Sequence, residues 1–177
     1  MTDSTSRLIA LLSAILAAAA LRLVPHPPNF TPIGAMALFS GAYLGRRGLA
    51  FVAPLAALLL SDLVLGFYHG MATVYFSVAL IVAVGWLAIS KVTPLRVGAA
   101  AIASSVLFFV ITNLGMWLFS GFYPHTLGGL TACYVAAIPF FQNTLAGDLF
   151  YATLLFGGFA VAERLMPRLR AVGVQPA

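Results

Sequence analysis

Long apolar stretches alternate with short clusters of proline, glycine and charge along the 177 residues of this chain. The stretches predict six helices at about 8–24, 32–45, 49–67, 72–90, 97–119 and 141–164. Between them lie residues that interrupt helices: His26-Pro27-Pro28-Asn29, Gly45-Arg46-Arg47-Gly48, His69-Gly70, Lys91 to Arg96 with Pro94, and Ser120 to Gly129. The second stretch is too short to span a bilayer untilted and reads as a short helix packed inside a bundle. Between Leu130 and Phe141 the chain is apolar but carries Pro139, which predicts a partial or re-entrant helix leading into the last span. No period marks an internal repeat.

Composition turns these helices into membrane spans. Residues are 62% hydrophobic and 7% charged with a mean hydropathy of +1.05, which excludes a soluble fold. A span takes about 20 apolar residues, so the chain holds about six with short loops and has no room for a soluble catalytic or nucleotide-binding domain. The fold class is therefore all-α, a single transmembrane domain over residues 1–177. The first stretch lacks a small-residue cleavage site and reads as a retained helix.

The net charge of +5 reads as a topology signal and not as a nucleic-acid footprint. Arg7, Arg46, Arg47, Lys91, Arg96, Arg164, Arg168 and Arg170 fall on one side of a six-helix arrangement, and Arg22 alone falls on the other. Eight of nine basic residues on one side places both termini in the cytoplasm and the chain in the cell inner membrane. His26, His69 and His125 then occupy the three external loops. The single cysteine, Cys133, forms no intramolecular disulfide and reads as an apolar packing residue.

Polar residues within spans face a cavity or the bundle interior. Asp62, Asn113 and Asp148 lie roughly 7 to 10 Å below the outer surface at ~1.5 Å per residue. Trp117 shares a face with Asn113, and Tyr151 shares one with Asp148. Three polar groups at one depth, beneath loops holding His26, Asn29, His69 and His125 and beside Asn143, suggest an outward pocket with an aromatic wall, suited to an organic ligand. Two other readings stand beside this one: Asp62 pairs with Arg22 or ties helices together, and Trp117, Tyr123 and Tyr134 form an interfacial belt. The histidines show no HxH or HxxxH spacing, so no metal site or cofactor is assigned. No nucleophile with a base on its helix, no HExxH and no spaced carboxylate pair is present, so the chain is not read as an enzyme. Ala10, Ala14 and Ala18 on the first helix, Ala53 and Ala57 on the third, and Gly41 with Gly45 on the second form small-residue faces. Such faces serve either packing within the bundle or the docking of a partner.

These alanine stripes, the segment Ile138-Pro139-Phe140-Phe141-Gln142-Asn143 opening the last helix, and the glycine-rich run from Gly34 through Gly41, Gly45 and Gly48 to Asp62 resemble the substrate-binding S component of energy-coupling-factor vitamin transporters. The resemblance covers nearly the whole chain. The stretch Pro28 to Pro32 is also similar to one in a group of small uncharacterised bacterial membrane proteins. The resemblance implies uptake of a vitamin or related micronutrient, bound from outside under the loops that carry His26, His69 and His125. It also implies release inside, when a partner membrane subunit driven by two ATPases topples the bundle, or work as a solitary protein. Without a Walker motif the chain does not hydrolyse ATP itself. Histidine and cysteine ligate cobalt, which makes a corrinoid the vitamin to name, bound as substrate. In that subgroup, however, the reactive cysteine belongs to the third loop, whereas Cys133 follows the fifth. A structural membrane protein that binds a partner through its alanine faces, with no ligand, is the alternative.

Overall fold

The computed structural model describes residues 3–44 and 47–170. Six helices and no strand occur among the described residues: α1 Asp3–Leu21, α2 Ile33–Tyr43, α3 Arg47–Leu65, α4 Met71–Ala88, α5 Pro94–Phe119 and α6 Leu127–Leu165. Five of them are long and apolar enough to cross a membrane, and α2 is the short one. This is the architecture of a multi-pass membrane protein. Gly45 and Arg46, with the side chain of Arg47, lie outside the described residues, and with them the expected basic pair and one end of the Gly41/Gly45 face.

Helix α2 forms the centre. Every residue from Ile33 to Gly41 is buried, and its most extensive contact is with α4. Glycine makes that contact possible on both sides. A β-carbon on Gly41 would collide with the Val82 carbonyl oxygen, and one on Gly85 with the Leu38 carbonyl oxygen. Small residues thus let two backbones touch where lipid supplies no hydrophobic drive between helices.

Helix α3 carries Pro54, whose missing N–H strips the Ala50 carbonyl of its usual helical donor. The buried Ser40 hydroxyl of α2 donates to that oxygen at 2.7 Å. At the far end of the bundle Phe39, Tyr43, Phe156 and Phe159 stack with ring centroids 4.8 to 5.6 Å apart. Arg7 lies over the Tyr43 and Phe159 rings and bonds both the Glu163 carboxylate and the Leu169 carbonyl, tying the start of α1 to the last turn of α6 and the segment after it.

The first and last spans and the start of the fifth differ from expectation. Helix α1 starts at Asp3, because the polar turn before Leu8 is held by Arg7, and it ends at Leu21 in a series of turns from Arg22 to Val24. Helix α5 starts at Pro94, not at 97. Proline at the first helical position gives up an N–H that has no partner there, and the Thr93 hydroxyl caps the Arg96 N–H at 3.3 Å. The partial helix expected before residue 141 is instead the first part of α6. Thr126 caps Gly129 at 3.1 Å, and the helix runs through Pro139 and a π turn at Thr153–Gly157. Packing on α5 carries it across the proline: the Tyr134 hydroxyl donates to the Val110 carbonyl at 2.7 Å, and Phe109 contacts both Tyr134 and Phe141.

Candidate functional site

Once α6 is continuous, Cys133, Ala137, Phe140, Thr144 and Asp148 fall on one face, and Ser105, Phe109, Thr112 and Met116 do the same on α5. These faces border a cavity of about 680 Å³. Its wall is aromatic and apolar (Phe108, Phe109, Phe122, Phe140, Phe141, Met116, Val74), with Asn29, Thr112, Asn113 and Thr144 as polar points and Ala136 and Ala137 leaving the space. A second cavity of about 200 Å³ is lined by Arg22, Thr31, Ile33, Gly34, Tyr68 and Asp148. Asn29, Val74, Phe108 and Thr144 line both, so the two adjoin.

The loop between α1 and α2 is built for this place. Asn29 takes a φ of 63°, a left-handed conformation that asparagine tolerates better than most residues. Asn143 pins the loop by donating to the Pro28 carbonyl at 2.9 Å. Phe30 stacks on Phe150 and Tyr151, 5.7 and 5.6 Å away. Gly147 lets the loop come close, since a β-carbon there would stand 3.2 Å from Phe30 Cα and Thr31 N.

Asn29, Asn113 and Asp148 of the expected site line this space. Asn143 and Tyr151 support it through the loop. The Asn113 amide nitrogen turns back on the Phe109 carbonyl at 2.8 Å, and Cys133 is buried beside it with its thiol on the Asn113 carbonyl. Asp62 lies elsewhere. It is fully buried among α1, α3 and α4, with Arg22 on one oxygen at 2.8 Å and the Tyr75 hydroxyl on the other at 2.9 Å. Arg22 also bonds Ser61, which itself donates to the Leu58 carbonyl at 2.8 Å. The alternative of structural pairing is what the geometry displays for Asp62.

The histidines do not converge. His26 contacts the Pro27 carbonyl at 3.0 Å, while His69 and His125 bond the carbonyls of Phe119 and Trp117 at 3.2 and 3.0 Å. Both of those carbonyls belong to the last turn of α5, so these two rings cap a helix end. Trp117 points to the same loop, donating to the Pro124 carbonyl at 3.0 Å. No cluster of three or more His, Cys, Asp or Glu side chains exists among the described residues. The alanine stripes turn inward: Ala18 and Ala57 are buried, and Ala10, Ala14 and Ala53 pack against the core.

Tyr68, in the loop between α3 and α4, was not expected in the site. Its phenol is pushed up to about 12 by burial and then by the negative charge of Asp62, with Arg22 pulling the other way, so it remains a neutral hydroxyl. Phe108, Phe109, Phe140, Phe141 and Thr144 were also missed. For Phe140, Phe141 and Thr144 the signal is the helical spacing along a continuous α6, which Pro139 masks, and for Phe108 and Phe109 it is their place on α5 one turn from Thr112 and Asn113.

No curated protein and no solved structure matches the chain. Residues 2–169, nearly the whole sequence, match the family of unknown function DUF6580, and the chain belongs to it.

Proposed function

We propose that the chain is a membrane-embedded binding subunit for a small organic micronutrient of the vitamin kind, held in the cavity between α5 and α6. The observation that carries this is the cavity itself: about 680 Å³ of aromatic and apolar wall with a few fixed polar groups, within the ~300–1,000 Å³ range of small-molecule sites. The clustering of basic residues supports cytoplasmic termini, an Asn29 loop and cavity that face outward, and a place in the inner membrane. Uptake then needs an energising partner membrane subunit with ATPases, or a solitary mode of release. A corrinoid is the less favoured vitamin, because none of His26, His69 and His125 lines either cavity. The scaffold alternative loses support because the alanine faces pack within the bundle.

The test is to denature the purified protein and identify released small molecules by mass spectrometry, comparing wild type with Ala137→Trp, which fills the cavity. The expected result is an organic compound whose yield falls at least about tenfold in the variant while the thermal unfolding midpoint stays within a few degrees. Equal yields, or release of lipid and detergent alone, would overturn the proposal.

A further inference from the structure

We infer that the smaller cavity is a subsite for a positively charged nitrogen, with Asp148 as its anchor; this rests on the ligand-binding proposal above and names the class of ligand as an apolar or aromatic body with a cationic end. Asp148 is 3% exposed. Its carboxylate meets the Ser105 hydroxyl at 2.7 Å. The fold makes room for it with glycine, since a β-carbon on Gly34 would lie 2.8 Å from Asp148 Cγ.

What Asp148 lacks is a counter-charge. The ion pairs among the described residues are Arg7 with Glu163 and Arg22 with Asp62. Arg22 lines the same cavity, but its charge is balanced by Asp62, to which its Nη1 bonds together with Ser61 and the Leu58 carbonyl. A lone carboxylate in such surroundings is neutralised by a proton or by a cation.

The Ser105 hydroxyl is placed to serve both states. It lies within hydrogen-bond distance of the Ala101 carbonyl, at 3.0 Å, and of Asp148 Oδ2, yet it has one proton to give. With a proton on Asp148, the acid donates to Ser105 and Ser105 donates to Ala101. With Asp148 ionised, Ser105 turns its proton to the carboxylate.

Apart from the paired Arg22, the polar and aromatic lining suits an ammonium group. Asn29, Thr31, Tyr68 and Thr144 carry neutral oxygens that accept N–H bonds. Phe108, shared with the larger cavity, offers an aromatic ring to a cation. An anionic group would meet the Asp148 charge instead.

Three probes of one shape test the subsite: phenethylammonium, neutral phenethyl alcohol and anionic hydrocinnamate, each titrated calorimetrically into the purified protein at neutral pH. The ammonium is expected to bind at least about tenfold more tightly than the alcohol, and hydrocinnamate least tightly. In Asp148→Asn the ammonium's advantage over the alcohol should collapse to near unity. As a check needing no variant, dicyclohexylcarbodiimide should label Asp148 in the wild type, mapped by mass spectrometry, and phenethylammonium but not the alcohol should suppress the label. Equal affinity of ammonium and alcohol, an advantage that survives Asp148→Asn, or labelling indifferent to the ammonium would overturn the subsite. Alcohol binding that is blocked by Ala137→Trp but shows no cation preference removes only the subsite, whereas no binding by any of the three removes the larger cavity's role with it.

Discussion

Asp62 and Asp148 are the same residue type, both buried in a bundle of apolar helices, and their surroundings differ in one respect. Around Asp62 the bundle supplies a full complement: a guanidinium from Arg22 and a phenol from Tyr75. Around Asp148 it supplies the Ser105 hydroxyl and a cavity whose cationic lining residue, Arg22, is already paired with Asp62. A buried charge that the protein has already paired acts as glue, while one left without a counter-charge beside open space has binding capacity to spare. The contrast divides the molecule into a closed side, α1 with α3 and α4, and an open side at α5 and α6.

The largest expected effect breaks the closed side. Arg22→Met strands the Asp62 carboxylate, and removing one partner of a buried pair costs about 3–5 kcal/mol. Adding Asp62→Leu to Arg22→Met should recover most of that loss, because an apolar pair needs no desolvated charge. Asp148→Asn, by contrast, should shift stability by less than ~1 kcal/mol, since no ion pair is lost. Chemical unfolding of the detergent-solubilised protein reads all three. A loss in Asp148→Asn as large as in Arg22→Met would erase the distinction between the two sides.

A middle-sized effect lies at the join of α2 and α3. Ser40→Ala removes the donor on the Ala50 carbonyl, and an unsatisfied buried acceptor costs about 1–3 kcal/mol. In a Pro54→Ala background the residue at 54 again offers its own N–H to Ala50, so the same Ser40→Ala change should cost measurably less. Equal costs in the two backgrounds would mean that the hydroxyl is not compensating for the proline.

The legible part of this molecule is what hydrophobic runs record. Helices α3 and α4 lie within two residues of their expected ends, and the short second run is the buried α2. Hydropathy alone could not tell which prolines break a helix. Pro94 starts one, Pro54 is rescued by Ser40 from another helix, and Pro139 is bridged by packing on α5, and two of these answers sit in tertiary contacts. The site was half visible for the same reason. Asn29, Asn113 and Asp148 stand out as polar groups in apolar sequence, but Phe108 and Phe140 look like any lipid-facing aromatic until both helices have a register. Asp62 shows the converse. Both acids are buried in apolar helices, and the partner that each one meets separates them.

The smallest expected effect concerns the histidines on the open side. His69 and His125 bond the Phe119 and Trp117 carbonyls, oxygens that have no helical donor because α5 ends there. Side chains capping the end of a helix contribute in the range of about 0.3–1 kcal/mol each. His125→Ala should therefore lower stability by no more than ~1 kcal/mol and speed proteolysis in the loop 120–126. The Trp117 ring, 5.3 Å from His125, reports the change through its fluorescence. Because neither ring lines either of the two cavities, phenethylammonium affinity should stay within about twofold of wild type, a difference of ~0.4 kcal/mol. A tenfold loss of affinity in His125→Ala would move the site from the α5/α6 cavity to the loop above it, and Asp148 would then be no more a binding group than Asp62.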